Sequence, residues 1–122
     1  DGLAKRAESM DEIIRYMEIL EILKPYENDP NNRSSNFFNE LGLAYRLSGD
    51  YKSAERAFLR AVELNVLGPH ARVNLGILYL RFINTPESRK LAEEQFQNVV
   101  KNIDPTNKPA NSYLDGIRAG KF

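Results

Sequence analysis

Apolar residues recur along this chain in steps of three and four, and Pro and Gly break the pattern at intervals. That period belongs to helices whose one face is buried. Between Pro25, Pro30, Gly49, Gly68-Pro69, Pro86, Pro105 and Pro109 it predicts helices over residues 9–24, 35–47, 50–64, 69–83, 86–102 and 109–118. Ser9-Met10-Asp11-Glu12 has the layout of a capping box, and Ile13, Met17, Leu20 and Leu23 mark the apolar face of the first helix. Ser48-Gly49 provides the left-handed residue that a tight helix-to-helix turn requires. Thr85-Pro86 supplies an N-cap followed by a first-turn proline. No segment alternates with period two over a strand's length, so no strand is predicted. The Asn-, Pro-, Asp- and Ser-rich stretches 26–34 and 104–108 are predicted loops.

Helix pairs call for a test of self-similarity. Leu41, Gly42 and Tyr45 return as Leu75, Gly76 and Tyr79, each 34 positions on. With Phe38 ahead of the first set, and Ala54, Phe58 and Ala61 behind it, the spacing resembles the tetratricopeptide repeat. Only the closing proline is replaced, by Val66. In this reading Gly42 and Ala54 are small where two helices cross, and Tyr45 and Phe58 fill the space beside them. The next unit has Arg72 in place of the aromatic residue, and Gly76 to Ala92 is 16 positions against 12 from Gly42 to Ala54. Four extra residues amount to about one helical turn, which lengthened helices can absorb. Ala92, Phe96 and Val99 then complete that unit.

The resemblance implies an all-α fold: a right-handed superhelix of antiparallel helix pairs with a C-terminal capping helix. The chain divides into a partial repeat plus loop (1–34), a repeat (35–68), a repeat with lengthened helices (69–107) and a cap (108–122), together one domain of 1–122. Tyr113, Leu114 and Ile117 are expected to dock on the helix before them. The opening residues read as the middle of something, so the natural protein is expected to start further upstream.

Composition narrows the function classes. Hydrophobic residues are 42% and charged residues 28% of the chain, a mix that folds in water. Lys plus Arg and Asp plus Glu are both 17, with the signs interspersed, so the basic stripe of a nucleic-acid binder is missing. No apolar run reaches a membrane span, and the compartment, cytoplasmic or periplasmic, stays open. Cys is absent and His70 is the single histidine, which leaves no metal-ligand or Ser-His-Asp constellation. Glu93 and Glu94 point about 100 degrees apart on a helix, a solvated face and no acid/base pair. No phosphate loop follows a strand. The chain is read as no enzyme, with no cofactor.

In the repeat family the inner, concave face of the first helices receives peptides. The resemblance puts Asn36, Asn39, Leu43, Arg46 and Leu47 on that face, beside Glu40. By the same offset His70, Val73, Asn74, Ile77 and Arg81 follow, beside Leu80, with Ser112 and Tyr113 in the cap. Leu43, Val73 and Ile77 are the expected anchors for a protein or peptide partner carrying an acidic element. Some family members hold a partner's terminal carboxylate with paired Lys and Asn. Asn74 fits one such position, but no Lys or Arg occupies the matching places around Asn39, Leu43, Pro109 or Tyr113, which disfavours that role. Lys52 and Arg56 are read as isolated convex-face charges. Two functions follow: a non-catalytic adaptor that docks a polypeptide in the groove, or a structural module that self-assembles or stacks on further repeats of a longer chain.

Overall fold

The computed structural model describes the backbone of residues 2–122 and the side chains from Met10 onward. Helices α1 (Gly2–Leu23), α2 (Ser35–Ser48), α3 (Tyr51–Leu64), α4 (Pro69–Ile77), α5 (Pro86–Asn98) and α6 (Lys108–Arg118) pack each against the next, and α2 also meets α4. Among the described residues there is no strand.

The helix starts follow from short polar side chains that satisfy backbone N–H groups a helix cannot use itself. Ser34 Oγ accepts from the Phe37 N–H at 3.1 Å, and an Asp50 carboxylate oxygen accepts from the Ser53 N–H at 3.1 Å. Thr85 and Ser88 form a reciprocal box, at 3.0 Å from the Ser88 N–H to Thr85 and 2.8 Å from the Thr85 N–H to Ser88. Gly49 ends α2 at φ 89°, the conformation its place in the sequence requires, so α3 turns straight back on α2.

Helix α1 differs from expectation in two ways. Ser9 does not cap α1, because the helix already runs from Gly2; Leu3 to Glu8 are good helix formers with no breaker among them. The side of α1 that packs is also rotated. Leu20 is buried, Tyr16 and Leu23 lean on the core, and Met17 is 51% exposed. Tyr16, Leu20 and Leu23 keep helical spacing as well as Met17 would, and the sequence pattern alone does not choose between them.

Of the four extra residues of the second hairpin, three lengthen the start of α5, from Pro86 to Ala92 against Tyr51 to Ala54, and one lies in the helix after Gly76. Beyond Ile77 the helix widens into a π-type turn, Leu78–Ile83, in which the Asn84 N–H donates to the Tyr79 carbonyl at 3.0 Å. Asn84 stops it with φ 53°, a left-handed conformation that Asn tolerates better than most side chains. A second wide turn, Val99–Ile103, ends the α5 segment in the same way, with the Asp104 N–H on the Val99 carbonyl at 2.8 Å.

The core runs through both hairpins. Leu41, Ala44, Ala54, Phe58 and Ala61 in the first, and Leu75, Leu78, Ala92, Phe96 and Val99 in the second, are 0% exposed. Phe58 lies on Gly42 and Phe96 lies on Gly76, so the recurring glycine is the point at which each helix pair closes. At the C-terminal end Leu114 is 1% exposed and Tyr113 stacks on Phe96, rings 5.1 Å apart and 6° from parallel. Asp115 and Arg118 face solvent on the other side of α6. The end of the array is therefore apolar inward and polar outward.

At the N-terminal end one carboxylate ties the loop after α1 to the first hairpin. Glu27, its side chain 13% exposed, accepts the Tyr45 hydroxyl at 2.8 Å and a fork from Arg56, Nη2 at 2.7 Å and Nε at 3.2 Å. Arg56 is thus not an isolated charge. Its partner comes from an irregular loop 29 residues away, which helical periodicity does not reveal.

Candidate functional site

Several of the residues expected to line a groove meet where α2 adjoins α4. Asn74 Nδ2 donates to Asn39 Oδ1 at 2.9 Å, joining the two helices across the expected stripe. Near the helix starts Asn36, Asn39 and His70 line one shallow depression of about 30 Å³, with Asn36 and His70 exposed. Leu43, Leu47 and Ile77 are half-buried, as a residue with one free side must be to serve as an anchor.

Val73 differs. At 9% exposed it belongs to the core, because α4 packs on α2, α3 and α5 at once and that packing takes the side chain in. It offers a partner little surface. Leu80, at 2% exposed, is likewise a packing residue.

Arg46 is held in a way the sequence pattern did not reveal. Its guanidinium lies over the Phe82 ring, 4.7 Å from the centroid, and its Nε is buried with no hydrogen-bond partner among the described residues. Burial pushes the guanidinium below the ordinary arginine value. Tyr16, Tyr113 and Glu12 pull it back up, and Arg81 pushes it further down. Phe82 belongs to the wide turn after α4, so Arg46 of α2 lies against that turn. Phe82 was absent from the expected site because the 34-residue offset pairs it with Ser48, a polar residue at the end of α2.

A second concavity lies beside Phe82. A cleft of about 510 Å³ is lined by Tyr51 and Glu55 of α3, by Tyr79, Phe82 and Ile83, and by Leu91 of α5. Tyr51 and Phe82 meet there with ring centroids 5.7 Å apart.

Among the described residues no three His, Cys, Asp or Glu side chains come together as a metal site, and no helix is long and apolar enough to cross a membrane. No protein family model matches the chain, and no curated protein matches its sequence.

Proposed function

We propose that the chain is a tetratricopeptide-like stack of antiparallel helix pairs, a right-handed superhelix capped by α6, that docks a polypeptide segment along the inner sides of α2, α4 and α6 and catalyses no reaction itself. The recurrence of Leu41, Gly42 and Tyr45 supports the repeat reading, and so does the same glycine-on-phenylalanine closure in both hairpins. The observation that carries the docking reading is the pairing of half-buried Leu43 and Ile77 with the Asn39–Asn74 bridge on adjoining helices. Apolar groups with one free side gain from a partner's burial, and amides beside them can hydrogen-bond a passing backbone.

Selection of displayed peptides on the purified chain tests this. Changing Leu43 and Ile77 together to Ser is expected to weaken the selected peptides by about 2 kcal/mol or more while the helical signal stays, and Lys52→Ala is expected to leave them bound. Peptides that ignore the Ser pair and need Lys52 would put the binding face on the opposite side.

A specific observation supports stacking as a second reading. Met10, Ile14 and Met17 form one stripe on α1 and are 55%, 49% and 51% exposed. A further helix laid on that stripe would bury it. Light scattering of the chain beside an Ile14→Lys variant distinguishes the two: a larger species that the lysine dissolves supports stacking.

A further inference from the structure

We propose that Arg46 and Arg81 form a receptor for one carboxylate, carried on an Asp or Glu side chain in the middle of the docked polypeptide. This rests on the groove reading above and names the chemistry of its polar anchor.

One N–H of the half-buried Arg46 has given up water without gaining a partner. Its Nε is buried and unbonded, and no carboxylate lies within ion-pair distance of it among the described residues. Phe82 covers one face of the guanidinium at 4.7 Å and leaves the outer Nη groups free in its plane. A half-buried charge in that condition gains when a carboxylate meets those Nη groups.

The surrounding charge has the right sign. Arg81 acts on Arg46 as a second cation and forms no ion pair among the described residues, whereas Glu12 acts as a single anion too far away to pair. One positive charge is left over. An incoming carboxylate neutralises it, and Tyr16 and Tyr113 are near enough to influence the same guanidinium.

The position selects a side chain over a chain end. Helix α1 packs against α2 and helix α6 against α5, so a polypeptide crossing Leu43 and Ile77 meets protein both before and after Arg46. Residues in its interior pass the guanidinium.

The test uses an array of short random peptides, acetylated and amidated at their ends, probed with the intact chain. The expected result is enrichment of Asp or Glu among the bound peptides. Replacing that acid by its amide is expected to weaken binding at least about 10-fold on the parent and to make little difference on Arg46→Gln. Because Nε has no bond to lose, Arg46→Gln is expected to keep its Tm within about 3 °C. Glu12→Gln, which leaves Arg46 intact, is expected to bind the acidic peptides more tightly by removing a competing anion.

Bound peptides that need Leu43 and Ile77 but show no acid preference overturn the carboxylate site and leave the groove standing. An acid preference unchanged in Arg46→Gln, weaker binding by Glu12→Gln, or binding only when the peptide's C-terminus is left free also overturns it. Peptide binding indifferent to Leu43, Ile77 and Arg46 alike removes the groove, and with it this proposal.

Discussion

The ring of Phe58 rests on the backbone of Gly42 so closely that a methyl group there would stand 2.5 Å from its Cδ1. Phe96 repeats the arrangement on Gly76 at 2.6 Å from Cε1. A contact that short leaves no room for any side chain unless the ring moves, and the ring is 0% exposed in both places. The helix pairs therefore close by removing a side chain on one helix and setting a flat one against the gap.

Gly42→Leu is accordingly expected to destabilise the chain by about 2 to 3 kcal/mol through overpacking. Gly42→Ala costs less, because alanine regains about 1 kcal/mol of helix propensity. Combining Gly42→Ala with Phe58→Leu is expected to cost less than the two separately, since the smaller side chain yields the space the methyl needs. Urea unfolding of the four proteins checks this. A Gly42→Leu chain as stable as its parent would mean the helices close elsewhere.

Glu27 supports a prediction about alkaline stability. Burial, and then the hydrogen bond to Glu27, push the Tyr45 hydroxyl up from 10.0 to about 12. The folded chain thus keeps a proton that the unfolded chain releases, so this stabilisation is fully present below pH 10 and is lost as pH rises through about 12. Tyr79, pushed up first by burial and then by the nearby Glu55 carboxylate, acts in the same direction. Tm measured against pH is expected to fall over that window, and to fall less in Tyr45→Phe with Tyr79→Phe. Identical curves would remove the two hydroxyls as the cause. At neutral pH Glu27→Ala is expected to cost about 1 to 3 kcal/mol, because it strands the Tyr45 hydroxyl and frees Arg56.

The cap supplies another. Leu114→Ala is expected to lose about 2 to 4 kcal/mol by opening a cavity over α5, and Tyr113→Ala forfeits the stacking on Phe96, worth about 0.5 to 1.5 kcal/mol beyond its area. Deleting residues 109–122 bares that surface and is expected to lower Tm or cause aggregation. Unchanged melting and solubility would make α6 dispensable.

How legible each part was depended on whether its cause is local. The hairpins were readable because their closure needs Gly, Tyr and Phe at fixed spacing on the same helix pair, and the turn at Gly49 because one φ value demands that residue. The packing of α6 on α5 was readable from Tyr113, Leu114 and Ile117 falling on one side of a short helix. Glu27 was not, since its partners lie on α2 and α3 and loops have no period. Val73 looked like an anchor because the offset copies a position without its neighbours, which at α4 are α2, α3 and α5. The state of Arg46 was hidden for the same reason: desolvation is a property of everything around a residue.

The wide turn over Leu78–Ile83 separates two kinds of length in the second hairpin. Up to Tyr79 the helix is indexed to Phe96 through Gly76, and a residue gained or lost there would throw the contact out of step. Past it, Phe82 is 37% exposed and Asn84 has already left the helix. The tip between Leu80 and Thr85 is accordingly a graft point: a loop could be exchanged there, or a foreign sequence spliced in, while both glycine closures stay as they are. Variation admitted at that tip would alter Phe82, and through it the surface that Arg46 presents, so in the proposed groove the tip is where partner preference would be tuned.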